Sequence, residues 1–289
     1  MVGETLMSEV LVLPVFTVDD WSGNTVDADG VEWWVTKEDG WSSSPDVRLE
    51  LVAHPQRDGS FDAPSFRSSR VITLEGTAIA PDEDTRERAK DRINAVLADG
   101  STLAELTVRE RTVTRRALVR LSAGTKIVDR SPISFEWSLH VTAPDPLRQG
   151  VTEYTAFCGL PKPGSGMNFS MTFPLQFGEP TGGSLVLANA GTATSWPLWT
   201  VTGPCSQPVI RNDSTGQRLA FDLPLLEGDT LVVDVAARTV WLGGASRRAA
   251  LLPRSSWFGL PPGNTVIGFD AFNPHESGVL TVVWRNAWI

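Results

Sequence analysis

The sequence predicts a mainly β protein with two domains, and three observations lead to this prediction. Apolar and polar residues alternate with period two along many short segments, for example from Phe135 to Val141, as in an antiparallel strand with one face in water. Asp-Gly pairs, which favour the positive φ of tight turns, separate such segments at Gly30, Gly40 and Gly59. Near residue 145 the charge-dense sequence gives way to short apolar runs divided by Gly, Pro and Trp.

The charge distribution supports a domain boundary at this point. Residues 1–148 contain 17 Lys and Arg against 25 Asp and Glu (17 − 25 = −8), whereas residues 149–289 contain 8 against 9 (8 − 9 = −1). A chain of 289 residues is long enough for two cores. We therefore predict an N-terminal antiparallel β domain over residues 1–148, a connecting strand and Gly/Pro linker over 149–180, and a C-terminal β-sandwich or jelly roll over 181–289.

Several strands are predicted in the first domain. The residues from Val47 to Ala53 alternate in polarity and predict a half-buried strand. Trp33 and Trp34 are adjacent on another predicted strand, so their side chains must face opposite sides. The segment from Arg109 to Arg120 alternates Arg with apolar residues, which is typical of strands with one wet face.

One helix is predicted, from Asp82 to Ala98. Pro81 and an acidic first turn favour its start, and Gly100 favours its end. Its apolar stripe at helical spacing consists of Ala89, Ile93, Val96 and Leu97. The remaining faces are charged, and we expect them to meet either water or a neighbouring subunit.

The second domain is predicted to consist of short strands. They lie near residues 185–189, 199–202, 209–212, 218–221, 230–235, 240–242, 266–272 and 279–284. Short strands at regular spacing, separated by Gly, Pro and Asn turns, indicate a sandwich or jelly roll.

Composition argues against several classes of protein. A net charge of −9 is unfavourable for a protein whose main task is nucleic-acid binding. Cys158 and Cys205 lack a metal-binding spacing and are predicted to be reduced core thiols. The N-terminus lacks the basic residues of a signal peptide, and no run reaches the ~20 apolar residues of a membrane span.

Motifs for catalysis are missing from the sequence. It contains no GxSxG nucleophile elbow, no phosphate-binding glycine loop and no HExxH pair. Its acidic pairs fall at turns or at the predicted helix start, where structural roles suffice. The sequence therefore predicts no enzyme, no cofactor and no metal site.

Aromatic side chains are the remaining candidates for binding. Trp257, Phe258 and Trp288 lie near turns or the terminus, and Trp21 and Trp41 lie in predicted loops. Such rings serve as anchors at protein interfaces and as stacking platforms for sugars. We name them as candidate contacts for a partner or a carbohydrate, with burial in the chain's own core as the alternative.

Several segments resemble the distal tail proteins of long, flexible-tailed bacteriophages, often called minor tail proteins in phages of actinobacteria. In the first domain these segments are Asp29–Trp33, Gly40-Trp41, Arg70–Gly76 before the helix, and Ser138–Pro146. In the second domain, Gly263–Asp270 and Leu280–Trp288 are similar to the closing strands of that family's galectin-like domain. The resemblance spans most of the chain, although it consists of strand and turn patterns.

The resemblance implies a structural virion component at the tail tip of a phage, with an actinobacterial host. In that family the N-terminal domain forms a ring, usually a hexamer, that joins the tail tube to the baseplate or host-recognition hub and lets DNA pass. The implied partners are further copies of this chain, the tail tube protein, the tape measure protein, the baseplate hub or tail-associated protein, and receptor-binding proteins. Synthesis and assembly in the host cytoplasm are also implied, and the carboxylates of the first domain would keep the channel acidic.

Two other function classes stay open on the residues alone. A tail-tip adhesin would bind host surface carbohydrate through the C-terminal β domain, in a shallow groove lined by Trp257 or Trp288. A cell-wall hydrolase would need paired acids or a metal cluster in a cleft.

Overall fold

The computed structural model describes residues 12–162, 182–273 and 277–289, which form two compact units. The first unit ends at Val151 and includes Ile289, and the second spans residues 152–288. The predicted mainly β fold with one α-helix is confirmed for the described residues. The Gly/Pro linker beyond residue 162 and His275 lie outside the described residues.

The described residues of the first unit form thirteen strands and the α-helix. They are β1 (Val15–Val18), β2 (Trp21–Gly23), β3 (Thr25–Val26), β4 (Glu32–Asp39), β5 (Val47–Arg48), β6 (Val52–Ala53), β7 (Ser60–Phe61), β8 (Phe66–Arg67), β9 (Arg70–Ile79), α1 (Glu83–Ala95), β10 (Ala104–Arg109), β11 (Thr114–Ser131), β12 (Ser134–Ala143) and β13 (Arg148–Gly150).

Most of these strands form one antiparallel sheet. Its order is β2-β1-β10-β11-β12-β9-β4-β3, with β13 also paired to β11. The long strand β11 pairs with β10 over residues 114–119 and with β12 over residues 120–131, where the register shifts at β-bulges. Bulges bend a strand and increase its twist, so the two halves of the sheet enclose a common core.

Tryptophans fill the centre of this core. The rings of Trp21, Trp33 and Trp137 meet edge to face, with centroids 5.0–6.3 Å apart, and Phe135 packs on Trp33. Trp33 is buried and its neighbour Trp34 is exposed, which confirms that they face opposite sides. Aromatic pairs in this geometry stabilise a core beyond their area burial.

Helix α1 lies within the predicted limits. Its N-cap is Asp82, whose carboxylate accepts a hydrogen bond from the Thr85 amide at 2.7 Å. Among the contributions that shift the pKa of Asp82, this hydrogen bond is the largest, and it lowers the pKa. The four side chains of the predicted apolar stripe are buried: Ala89, Ile93, Val96 and Leu97.

In the second unit, the part of the chain that the structure describes forms thirteen further strands and a short 3₁₀ helix at Arg248–Ala250. The strands are β14 (Tyr154–Gly159), β15 (Ser184–Asn189), β16 (Leu198–Thr202), β17 (Cys205–Ser206), β18 (Val209–Asn212), β19 (Arg218–Ala220), β20 (Pro224–Leu225), β21 (Thr230–Asp234), β22 (Thr239–Leu242), β23 (Ala245–Ser246), β24 (Gly263–Asp270), β25 (Val279–Trp284) and β26 (Ala287–Trp288).

These strands form two main sheets over one core. A six-stranded sheet has the order β14-β25-β16-β21-β22-β23, and a four-stranded sheet has the order β15-β24-β18-β19. Both contribute to a core that includes Trp199, Phe258 and Phe269. Each short strand predicted in the second half is present, and the architecture is the predicted sandwich.

The predicted domain boundaries at 148 and 181 stay predictions. Strand β14, which we assigned to a connecting segment, pairs along its whole length with β25 inside the six-stranded sheet. It also places Cys158 in the core of the second unit.

Candidate assembly surface

Residues 45–69, called the arm below, leave the large sheet of the first unit. Strand β5 pairs with β8 and β6 pairs with β7, and within the described residues these four strands pair with no others. Six large apolar side chains of the arm are between 50% and 68% exposed: Val47, Leu49, Leu51, Val52, Phe61 and Phe66. The arm therefore places an unusual amount of apolar surface in water.

The prediction of a half-buried strand from Val47 to Ala53 is wrong. The polarity alternates as a strand requires, but the arm is a two-stranded ribbon, and no second layer of described residues packs against either of its faces. A ribbon of two strands is marginally stable alone and cannot form a core of its own. Contiguous exposed apolar surface of this kind marks an interaction site.

A tight turn after β4 leads into the arm. Gly40 has φ +91°, and a Cβ on it would lie 1.8 Å from the carbonyl oxygen of Val71. The Glu38 carboxylate accepts hydrogen bonds from the amides of Trp41 and Ser42, at 2.6 and 3.1 Å, and from the Ser42 hydroxyl at 2.8 Å. One glycine and one carboxylate thus fix the direction in which the chain leaves the sheet.

Arg70, the first residue of β9, binds the other side of the base of the arm, which is called the root below. Its side chain is fully buried, and Nη1 donates to the carbonyl oxygens of Gly40, Trp41 and Ser43 at 2.6, 3.0 and 2.7 Å. Its Nε donates to the Pro146 carbonyl at 2.9 Å. Burial, with the nearby positive charge of Arg148, lowers the pKa of Arg70 to about 10, so it stays charged at neutral pH.

Trp41 completes the root as a buried anchor. Its indole Nε1 donates to Glu110 at 2.9 Å, and the Arg148 guanidinium lies 5.7 Å from its ring centroid. Arg115 also donates to Glu110, at 2.6 Å. The root is therefore a network of buried and half-buried charges that joins β4, β9, β10 and β11 to the base of the arm.

The charged faces of helix α1 are largely paired within the first unit. Arg86 donates to Glu87 and to the Ser131 carbonyl, at 2.6 and 2.7 Å. Lys90 bridges Glu87 and Asp129, at 2.9 and 2.6 Å. These pairs correct our expectation that the charged faces meet either water or a neighbouring subunit, and they weaken the helix as evidence for a subunit contact.

Arg92 extends this pairing to the loop before β4. Its guanidinium forms ion pairs with Asp27 and Asp29. Asp27 also accepts a hydrogen bond from the Nε1 of Trp33, at 2.8 Å. The helix is thus tied to the strand layer through side chains that the sequence pattern assigned to solvent.

The five candidate aromatic residues differ in how far they are buried. Trp21 and Trp41 are buried in the first unit and Phe258 in the second, so the alternative of a core position holds for these three. Trp257 and Trp288 are partly exposed, and Trp257 packs under the guanidinium of Arg248 at 5.8 Å. Their role as contacts stays a prediction.

Other aromatic residues are more exposed than these candidates. Trp34, Trp196 and Trp241 are 45%, 45% and 43% exposed. Trp34 could be found from its position beside Trp33 on one strand. Strand alternation with Val240 gave a usable signal for Trp241, whereas no local pattern identified Trp196.

In the described part of the chain, no three His, Cys, Asp or Glu side chains lie close enough together to hold a metal ion. Cys158 and Cys205 are buried and form no disulfide, and burial raises the pKa of the Cys158 thiol to about 11. No helix within the described ranges is long and apolar enough to cross a membrane.

The second unit matches a known family. Residues 190–288 match the family model for the Siphovirus-type tail component, C-terminal domain. No curated protein sequence matches this chain.

Solved structures share the fold over nearly the whole length. The chain is similar to the SPP1 Dit protein, described as a paradigm of the hub adsorption apparatus in phages that infect Gram-positive bacteria, with 16% identity, a TM-score of 0.64, and coverage of 96% of this chain and 100% of that chain. A chain of the phage P2 baseplate in its activated conformation with Ca is less similar, with 11% identity, a TM-score of 0.44, and coverage of 94% and 98%. The likeness to the SPP1 protein shows that the two chains have one fold.

Proposed function

We propose that this protein is a structural component of a phage tail tip, in which copies of the first unit close into a ring. The ring joins the tail tube to the baseplate or host-recognition hub and leaves a channel for DNA. The observation that carries the proposal is the arm, a rigidly rooted ribbon with six large apolar side chains in water. The family match of residues 190–288 and the fold shared with the SPP1 Dit protein support it.

The arm suits a contact between identical subunits. Burying its apolar side chains on a neighbour stabilises the assembly by about 25 cal/mol per Å² of apolar surface removed from water. A head-to-tail contact of this kind repeats from copy to copy and gives a ring when the rotation closes. The network around Arg70 fixes the angle of the arm, and a fixed angle is what a closed ring of defined size requires.

The finer details of this proposal rest on the sequence resemblance. They are six copies in the ring, a galectin-like second domain, contacts with the tail tube, tape measure, hub and receptor-binding proteins, assembly in the cytoplasm of an actinobacterial host, and a location at the tail tip of the virion. No catalytic step, cofactor or metal is part of the proposed role.

The first experiment compares the assembly of the wild-type protein and an arm variant. Val52 and Phe61 are paired residues of β6 and β7 and point to the same face of the arm. Val52→Asp with Phe61→Asp should abolish rings in negative-stain images and reduce the mass measured by light scattering, because two carboxylates would be buried at the contact. Since both positions are exposed in the monomer, the melting temperature should not fall.

A matched control adds the same charge elsewhere on the first unit. Thr112→Asp with Ser122→Asp alters exposed polar positions outside the arm and should leave the ring intact. Normal rings from the arm variant would show that the arm is not the contact. A wild-type protein that stays monomeric and binds neither the tail tube protein nor the hub protein of its phage would overturn the ring itself.

A further inference from the structure

The six-stranded sheet of the second unit has an outward face that crosses all of its strands. Strand registers place Phe157, Thr281, Thr200, Val232 and Trp241 in one row on five neighbouring strands. Their sequence neighbours Cys158, Leu280, Trp199, Leu231 and Val240 are buried, which sets the row on the side away from the core. The row therefore runs from the edge strand β14 to β22.

Aromatic rings stand at the two ends of this row. Phe157 is 75% exposed, and Trp241 is also exposed. Four strand steps of about 4.8 Å each separate them, or roughly 19 Å across the sheet. The threonines between them bring hydroxyl groups that both donate and accept hydrogen bonds.

The face is also almost free of charge. Threonine, valine, leucine and glycine occupy the outward positions on either side of the row, and Leu198 among them is exposed. Asp234 is the one charged residue among the outward positions of these strands, all of which are described. It lies at the rim of the face, where its carboxylate accepts a hydrogen bond from the Ala237 amide at 2.9 Å.

We propose that this face binds a neutral polysaccharide. The C–H face of a sugar ring, which carries a small positive charge, complements the negative face of an aromatic ring, and its hydroxyl groups pair with threonine hydroxyls. A neutral ligand suits a neutral surface, because no ion has to be stripped of water without a partner. The separation of Phe157 and Trp241 fits a chain of several sugar units lying across the strands.

This proposal goes beyond the ring and does not depend on it. It also relocates the carbohydrate contact considered from the sequence, since Trp257 and Trp288 are not part of the row. A flat face supported by a folded sandwich can bind an extended ligand without a pocket, and both aromatic anchors contribute contact area with little conformational freedom to lose.

The experiment is affinity electrophoresis of the full-length protein in native gels. The gels contain soluble mannan, dextran, galactan or β-glucan, and polygalacturonate serves as the charged comparison. At least one neutral polysaccharide should retard the wild-type protein. Phe157→Ala and Trp241→Ala should each weaken the apparent affinity roughly three- to tenfold.

Two exposed tryptophans away from the row provide matched controls. Trp34→Ala in the first unit and Trp196→Ala in the second remove rings about as exposed as that of Trp241 and should leave the retardation unchanged. Melting curves of all four variants establish that each is folded, and the mass of the assembly is measured in parallel. Lost retardation with an unchanged assembly supports the proposal.

Three outcomes overturn it. In the first, none of the neutral polysaccharides retards the wild-type protein. In the second, the row variants bind as well as the wild-type protein or no worse than the controls. In the third, Phe157→Ala or Trp241→Ala disrupts the ring or hub binding, which would make this face a protein interface. A failed ring with normal polysaccharide binding would count against the proposed function alone.

Discussion

The two units leave apolar side chains outside their cores in different ways. In the first unit six of them lie on the arm, a ribbon with no layer of described residues behind it. In the second, Phe157 and Trp241 lie at the ends of a broad face, on a sheet whose other side forms the core. A ribbon needs another surface to be stable, whereas a face on a sandwich is folded before any ligand arrives. The first arrangement suits assembly and the second suits recognition of a soluble or surface-bound ligand.

The charges of the two units show the same contrast. The outward face of the first unit's sheet carries ion pairs such as Lys37–Glu75 and Arg130–Glu136, at 3.0 and 2.6 Å, around an open groove of about 550 Å³. Exposed pairs of this kind contribute little to stability, but they keep a surface hydrated. The described outward positions within the strands of the six-stranded sheet carry no such pair, and the Arg285–Glu153 pair, at 2.9 Å, lies just beyond the ends of β25 and β14.

The largest expected effect follows from removing the root of the arm. Arg70→Met removes the side-chain donor to the carbonyls of Gly40, Trp41, Ser43 and Pro146; the bond to Trp41 is buried and the other three are partly buried. We expect the free energy of unfolding to fall by roughly 3 to 5 kcal/mol, measured by urea denaturation.

Arg67→Met is the control for this substitution. Arg67 is exposed on β8, and among the described residues its side chain donates a hydrogen bond only to the Ser44 hydroxyl, so the loss of this side chain should change stability by less than about 0.5 kcal/mol. Equal effects of the two substitutions would mean that the arm is not held by a rigid root, and the contrast with the second unit would weaken.

The next largest effect separates core from surface in the second unit. Phe258 is buried against Trp199, with ring centroids 5.9 Å apart. Phe258→Ala should lower the free energy of unfolding by about 3 kcal/mol or more. Trp257→Ala removes a partly exposed ring that contacts Arg248, and its effect should stay under about 1 kcal/mol.

Thermal denaturation of the two single variants checks this prediction. Similar destabilisation by both would place Trp257 in the core as well. The remaining role of Trp257 as a partner contact would then lose its basis.

Local patterns were sufficient for the helix and for the strands of the second half, but not for Trp21, which was placed in a loop and begins strand β2. The helix was predicted because its N-cap, its acidic first turn and its apolar stripe all lie within one short segment. The strands of the second half follow from alternation and turn residues in the same way. Positive φ is present at Gly30, Gly40 and Gly59, the three Asp-Gly positions.

Burial in loops could not be predicted from such patterns. Trp41 is buried because Glu110, 69 residues away, accepts its indole N–H, and because Arg70 holds the following backbone. Arg70 itself resembles any strand arginine in the sequence, since its four acceptors are backbone carbonyls far along the chain.

For the arm, the sequence pattern fails in the opposite way, because it predicts burial where the side chains are exposed. Its alternation indicates a strand with one buried face, and the structure supplies the strand without the layer that would bury it. Periodicity reports which side chains share a face, and it contains no information on whether the covering surface belongs to the same chain. The same holds for Phe157, which alternates with core residues of β14 but points away from the core.

The smallest expected effect concerns the independence of the second unit. It has its own core and both of its main sheets are closed on internal pairs, so a fragment of residues 150–289 should melt in one cooperative transition near that of the same unit in the full chain. A fragment of residues 182–289 is the sharper comparison, because it lacks β14 and with it the core side chains Cys158 and Leu160. It should melt at a lower temperature and expose the edge of β25.

If the shorter fragment were as stable as the longer one, β14 would be a connector, the boundary at residue 181 would stand, and Phe157 would lose its fixed place in the row. If neither fragment melted cooperatively, the two units would depend on each other, and the contrast between an arm that needs a partner and a face that does not would have to be abandoned.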